Sequence, residues 1–79
     1  MSVVTVYSQS DCHLCEEAMA VLRGLQAELG FELRELDIST DETLLRAYFE
    51  RIPVVAVDGV EVCEYFVREA VLRERLTSV

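Results

Sequence analysis

Short β-branched segments alternate with helical segments along this chain, and this alternation restricts its fold more than any other feature. VVTVYS at residues 3–8 and FELRELD at residues 31–37 have the length and composition of strands. Gly30, just before the second strand, is expected to end a preceding helix in the left-handed conformation. That helix is predicted because apolar residues share one of its faces, at Leu14, Ala18, Leu22, Leu25 and Leu29.

A second helix, a hairpin and a third helix follow. Ser39 and Glu42 have the spacing of a capping box, which predicts a short helix over residues 41–50. Pro53 cannot continue that helix. The stretch PVVAVDGVEV contains an Asp-Gly dipeptide between two β-branched runs, which strongly favours a hairpin. The last helix is predicted over residues 63–76.

The predicted order of elements is β-α-β-α-β-β-α, an α/β fold in a single domain over residues 1–79. Helices join the first three strands, and right-handed crossovers would make those strands parallel. The hairpin adds an antiparallel edge. The sequence therefore predicts a mixed four-stranded sheet with helices on both faces.

The charge of the chain excludes several classes of function. Fifteen acidic and seven basic residues give a net charge of −8, and the basic residues are all arginines that form no cluster. Binding to nucleic acid or to an acidic membrane surface is therefore not expected. Apolar runs are too short to span a bilayer, and the first residues lack the features of a secretion signal. We expect a cytoplasmic protein.

Cys12 and Cys15 lie where the first strand gives way to the first helix. Unpaired backbone N–H groups and the helix dipole stabilise negative charge there, so the pKa of Cys12 should fall below that of a free cysteine. Cys15, about one turn later, is expected on the same face and deeper. This spacing allows a disulfide to open and close without moving the scaffold, as dithiol exchange requires.

Three other interpretations of the pair remain. The cysteines could be small buried apolar residues, or a structural disulfide, although so small a loop removes little unfolded-state entropy and the cytosol keeps thiols reduced. Zinc needs four ligands. Only Cys63 and His13 are left to supply the rest, and His13 is adjacent to Cys12, so no metal is predicted.

Three motifs give the chain a resemblance to the glutaredoxin branch of the thioredoxin fold, and to small bacterial glutaredoxin-like proteins in particular. These motifs are VYSQSDCHLC, ELDIST and RIPVVAVDG, and the resemblance covers nearly all of the chain. It implies that Cys12 and Cys15 reduce or exchange disulfides. It also implies that Pro53 is cis and packs beside the Cys12 sulfur, and that the backbone of Ile52 pairs with an extended substrate peptide.

The chain departs from the family pattern around the expected glutathione site. Gln9 stands where many glutaredoxins have a lysine, and Arg51-Ile52 stands where Thr-Val is usual; Arg51 is expected to replace the lysine as an anion contact. VEVCEYF replaces a Gly-Gly-Asp segment, with Cys63 and Glu64 near the glycine positions. Larger or acidic residues there would crowd or repel a glutathione carboxylate. The candidate substrate- or glutathione-binding residues are Gln9, Arg51, Ile52, Pro53, Cys63 and Glu64.

Two residues have two interpretations each. His13 either favours the Cys12 thiolate through a partly charged imidazole, which would tune its pKa, or is an exposed residue with no role. Cys63, at the predicted start of the last helix, is either a resolving or glutathione-capped thiol or a small buried apolar residue.

The leading hypothesis is a monomeric, cytoplasmic glutaredoxin-like thiol–disulfide oxidoreductase without a tightly bound cofactor. Its partners would be a disulfide-containing protein or a glutathione mixed disulfide, with glutathione or a reductase as electron donor. The rival hypothesis is a non-catalytic binding module. Such a module would hold an iron–sulfur cluster between two protomers through Cys12 and glutathione, or serve only for protein contacts.

Overall fold

The structure is a computed structural model that describes residues 2–77. The predicted order of elements, β-α-β-α-β-β-α, is confirmed, with a short 3-10 turn at Ile38–Thr40 before the second helix. The elements are β1 (Val3–Ser8), α1 (His13–Leu29), β2 (Glu32–Asp37), α2 (Glu42–Tyr48), β3 (Val54–Val57), β4 (Val60–Glu64) and α3 (Glu69–Thr77).

The four strands form one mixed sheet in the order β2-β1-β3-β4. β1 and β2 are parallel, whereas β3 is antiparallel to β1, with Val54 opposite Tyr7. The prediction that the first three strands are parallel is therefore wrong. The reason is that α2 is too short to carry the chain back along the sheet. Its seven residues span only about 10 Å, whereas a six-residue strand is about 20 Å long. The chain enters β3 at the end of the sheet where β2 finishes.

The main core lies between one face of the sheet and the helices α1 and α3. β1 alternates along its length, so that Val4 and Val6 are buried on this face together with Ser8. α1 presents its apolar stripe to the same face, and α3 contributes Leu72. Burial of these side chains is what holds both helices on the sheet. The remaining members of the cluster are Met19, Leu22, Leu25, Phe31, Val55, Val57 and Cys63.

The opposite face of the sheet is covered by α2, which confirms helices on both faces. Val54 and Ala56 of β3 are buried there, and the Tyr7 ring stacks on Tyr48 of α2 at 4.2 Å between centroids. No residue of α2 is fully buried. This face is therefore covered more thinly than the main core.

The end of α1 and the start of α2 show how these helices are capped. Gly30 ends α1 with φ 74° and donates its N–H to the Gln26 carbonyl, as predicted. The predicted capping box is wrong, because Asp41 rather than Ser39 caps α2. The Asp41 carboxylate accepts from the N–H groups of Thr43 and Leu44. Ser39 instead lies in the 3-10 turn.

The last helix begins at Glu69, not at residue 63, so this prediction is also wrong. Residues 60–64 continue as β4, because the hairpin pairs with β3 as far as Glu64 opposite Val54. Pairing with β3 gives the backbone N–H and C=O groups of β4 hydrogen-bond partners. A helix that began at residue 63 would leave some of these groups unpaired. In the part of the chain that the structure describes, no helix has both the length and the apolar character to cross a membrane.

Candidate active site

Cys12 and Cys15 are joined by a disulfide at the N-terminus of α1, with their Cα atoms 5.2 Å apart. Cys12 is the N-cap residue and is extended (φ −103°, ψ 106°), so the chain turns from the loop into the helix at this point. Its Sγ accepts a hydrogen bond from the Cys15 N–H at 3.2 Å. A thiolate formed on Cys12 would meet the same N–H donor and the positive end of the helix dipole.

The two sulfurs differ in accessibility. Cys15 is 2% exposed and lies against the core, whereas Cys12 is partly exposed. The expectation that Cys15 lies deeper is confirmed. Of the two bonded cysteines, Cys12 is therefore the one exposed to solvent.

His13 lies on the exposed surface of α1 and contacts Glu17. Its side chain is 82% exposed, and Nε2 lies 3.2 Å from Oε1 of Glu17, one turn further along the helix. The role of His13 in favouring the Cys12 thiolate stays a prediction.

The Ile52–Pro53 peptide bond is cis, as the resemblance implies. Pro53 is buried and precedes Val54, which pairs with Tyr7 near the C-terminal end of β1. Residues 9–11 lead from that same end of β1 to Cys12. The proline and the disulfide thus share one end of the sheet.

Arg51 lies two residues before Pro53 and is already engaged by two carboxylates. Its Nη1 is 2.8 Å from Oε1 of Glu61 and 3.3 Å from Oε2 of Glu64, and its Cζ is 5.1 Å from the centroid of the Tyr48 ring. The hydrogen bond from Arg51 holds the pKa of the Glu61 carboxyl below its usual range. The predicted role of Arg51 as an anion contact would require an incoming anion to compete with both glutamates.

Cys63 lies in β4 rather than at the start of a helix. It pairs with Val55, is 7% exposed and belongs to the main core. Its Sγ accepts from the N–H of Arg68 at 3.4 Å. These surroundings are those of a small buried residue. Glu64, the next residue, is exposed on the other face of the sheet, beside Arg51.

Gln9 is exposed on the loop between β1 and α1. It lines a shallow depression with residues of the β2 side of the sheet, among them Glu35 and Asp37. Arg51 lies toward β4, on the other side of β1. The structure therefore places the two predicted anion-site residues next to different edge strands.

Tyr65 was missed by the sequence analysis because residues 63–76 were predicted as helix. It adopts a left-handed conformation (φ 67°), which is unusual for a large residue. Its N–H donates to the Pro53 carbonyl at 2.9 Å, with Arg51 as a longer second acceptor, and its hydroxyl donates to the Glu50 carbonyl at 2.6 Å. Tyr65 thus ties the segment that contains the cis bond to the end of β4.

Phe66 was missed for the same reason, and it forms an apolar surface against the first turns of α1. Its side chain is 66% exposed. Together with Leu14, which lies between the two cysteines, and with Ala18 and Val21 of α1, it lines a groove of about 170 Å³. The apolar residues that follow VEVCE in the sequence were the signal from which this surface could have been predicted.

Within residues 2–77 the three cysteines do not converge, and no three His, Cys, Asp or Glu side chains are grouped to hold a metal ion. Cys12 is the one cysteine of the three that is partly exposed, since Cys15 and Cys63 are both buried. These residues do not fit an iron–sulfur cluster held by one chain.

Comparison with known proteins gives a consistent result at the level of family and fold. A family model described as "Glutaredoxin-like domain (DUF836)" matches residues 3–77. An uncharacterised protein of Mycobacterium tuberculosis is 36% identical over 75 residues, which cover 89% of this chain and 77% of that protein.

Several solved structures share the architecture. A Nitrosomonas europaea protein solved by NMR is 38% identical with a TM-score of 0.86, covering 96% of this chain and 92% of that one. A protein from X. campestris is 31% identical with a TM-score of 0.76, covering 96% and 97%. Thioredoxin from Fasciola hepatica is 25% identical with a TM-score of 0.64, covering 96% and 78%. The sheet and its three helices are therefore a thioredoxin-like fold.

Proposed function

Because the chain belongs to the glutaredoxin-like domain (DUF836) family, we propose that it is a thiol–disulfide oxidoreductase acting through Cys12 and Cys15. One observation carries this proposal: a partly exposed Cys12 sulfur at a helix N-terminus is bonded to a buried Cys15 sulfur one turn away. This asymmetry suits a reaction in which one thiol attacks and the other resolves.

In the reduced protein the Cys12 thiolate attacks one sulfur of a substrate disulfide, R–S–S–R′. A bond forms between Cys12 Sγ and the R sulfur, and R′S⁻ leaves with the electron pair of the broken bond. Cys15 then loses its proton and attacks Cys12 Sγ, which forms the Cys12–Cys15 disulfide and releases RS⁻. Two electrons pass from the dithiol to the substrate, and the two protons reach the product thiols through solvent.

The segment around the cis bond supplies the proposed substrate clamp. Ile52 lies between Arg51 and Pro53, and Tyr65 holds the carbonyls of Glu50 and Pro53 from the other side. An extended peptide that adds to this segment through its backbone would place its own sulfur toward Cys12. Recycling of the disulfide requires a thiol donor, either glutathione or the reductase of a thioredoxin-type system.

Single-turnover reduction of a short, uncharged peptide with one disulfide tests this function. The protein is first reduced with dithiothreitol and desalted, and the products are followed by mass spectrometry. We expect one equivalent of reduced peptide per protein. Cys12→Ser should give no reduction, and Cys15→Ser should stop at a protein–peptide mixed disulfide, because the resolving thiol is absent.

The oxidised protein, which has no free thiol on Cys12, is the matched control and should leave the peptide unchanged. Reduction of the peptide by Cys12→Ser at the rate of the unmodified protein would show that another group performs the chemistry. The proposed function would then be wrong.

A further inference from the structure

A bulge in β4 places two carboxylates on the same face of the sheet, next to the proposed clamp. Residues three apart in a regular strand point to opposite faces. In this hairpin, however, Cys63 pairs with Val55 and Glu61 with Ala56, so Val62 is the extra residue of a bulge. Glu61 and Glu64 therefore both lie on the face opposite the main core, where they contact Arg51.

These contacts occupy the one arginine of the clamp segment. Two carboxylates hold one guanidinium, so the ion-pair cluster of Arg51, Glu61 and Glu64 carries a net negative charge. The side chain of Glu61 is also a hydrogen-bond acceptor for the Tyr48 hydroxyl at 3.4 Å. An incoming carboxylate would have to displace a glutamate before it could bind Arg51.

The segments that border the disulfide add further negative charge. In residues 11–17 the charged groups are three carboxylates and His13, whose imidazole already faces Glu17. Residues 11–17, 50–53 and 61–68 together carry two arginines, Arg51 and Arg68, and the carboxylates of Asp11, Glu16, Glu17, Glu50, Glu61 and Glu64. Such a one-sided charge distribution attracts cations and repels anions over about 10 Å at moderate salt.

We propose that Glu61 and Glu64 are specificity-determining residues. By holding Arg51 they leave the site with an excess of negative charge, so that it selects disulfides with positive charge beside the sulfur. In a protein partner this is a disulfide flanked by lysine or arginine. Glutathione mixed disulfides, with two carboxylates and one ammonium on each glutathione, react slowest. This inference rests on the proposed oxidoreductase function.

Three probes of similar size, whose thiols carry a positive charge, no charge and a negative charge, measure this selectivity: the 2-pyridyl disulfides of cysteamine, mercaptoethanol and mercaptopropionate. Cys12 attacks the sulfur of each probe's thiol and pyridine-2-thione leaves, which is followed by its absorbance. Cys15 then closes the Cys12–Cys15 disulfide and releases the thiol. Each rate constant is divided by that of dithiothreitol with the same probe, which removes differences in intrinsic reactivity.

For the unmodified protein we expect the normalised rate constant to fall from the cationic through the neutral to the anionic probe. The ratio between the two charged probes should be about tenfold at low salt, in the range that electrostatic steering produces. It should approach one at about 1 M salt, where the Debye length is about 3 Å.

Two sets of variants move this ratio in opposite directions. The double variant Glu61→Gln/Glu64→Gln releases Arg51, so the cationic-to-anionic ratio should fall to about twofold or less. Arg51→Gln leaves both carboxylates unbalanced, so the ratio should rise. The matched control is Glu28→Gln/Glu32→Gln, which removes two carboxylates that also pair with arginines. Glu28 lies sixteen residues after Cys12, or about 24 Å along α1, and this control should keep the ratio.

Equal normalised rates for the three probes would overturn the inference. A drop of the ratio in the control variant as large as in Glu61→Gln/Glu64→Gln would also overturn it, because the effect would then come from net charge alone. Both results leave the proposed function intact, because all probes would still be cleaved through Cys12. Failure to cleave any probe, or cleavage that persists in Cys12→Ser, would instead refute the proposed function itself.

Discussion

At the residue scale, Arg51 joins α2, the clamp segment and β4. It contacts Glu61 and Glu64 through Nη1 and lies over the Tyr48 ring. Burial is the main cause that raises the pKa of the Tyr48 hydroxyl, followed by the neighbouring Tyr7 and Glu61. These groups are partly exposed, so water screens their charges and each ion pair contributes little to stability.

The ion pair should make stability depend on pH. The pKa of Glu61 in the folded protein lies below its ordinary value of 4.5, so its contribution is complete above about pH 4.5 and is lost as the pH falls through the lower folded value. We expect Arg51→Gln to lower the free energy of unfolding only slightly at pH 7. The difference should shrink as the pH falls below about 4.5.

Urea denaturation at several pH values measures this difference. Arg46→Gln is the matched control, because the Arg46–Glu42 pair is more exposed on both sides and should contribute less. A loss for Arg51→Gln that is equally large at pH 7 and pH 2 would show that packing on Tyr48, not the ion pair, stabilises the fold.

At the scale of elements, α2 is the helix least supported by the core. It has seven residues, none of them fully buried, and isolated helices of that length are unstable in water. Its stability therefore depends on its cap at Asp41 and on the stack of Tyr48 against Tyr7.

Removal of the cap should be measurable. Asp41→Ala is expected to lower the free energy of unfolding by about 1 kcal/mol, because the N–H groups of Thr43 and Leu44 lose their acceptor. Ser39→Ala, at the position of the incorrectly predicted cap, should cost less. Urea denaturation compares the two. A larger loss for Ser39→Ala would assign the helix start to Ser39 after all.

At the scale of the whole molecule, α3 is attached to the sheet mainly through one side chain. Leu72 is 0% exposed and is the one fully buried residue among those that the structure describes in α3. A domain of this size has a total stability of about 4–12 kcal/mol. One core position therefore carries a large share of it.

Leu72→Ala should cost about 2–5 kcal/mol, since it removes buried methyl groups and leaves a cavity. Val71→Ala, a truncation of the exposed neighbour, is the matched control and should change stability by about 0.5 kcal/mol or less. Thermal denaturation measures both. Equal effects of the two substitutions would mean that α3 is not held through Leu72.

Local patterns in the sequence were enough for most of the fold. The β-branched segments, the apolar stripe of α1, Gly30 and the Asp-Gly turn predicted the element order, because each is a property of a few neighbouring residues. The spacing of Cys12 and Cys15 at a strand-to-helix junction likewise predicted that they lie together and that Cys15 is the deeper of the two.

Long-range pairing decided the rest. The direction of β3 depends on how far α2 carries the chain, and the extent of β4 depends on its partner strand, so neither follows from local propensity. A bulge at Val62 places Glu61 and Glu64 on one face, although their spacing alone would separate them. The cysteine pair was thus determined by sequence, whereas the charges around it were decided by tertiary structure, because strand register sets which side chains share a face.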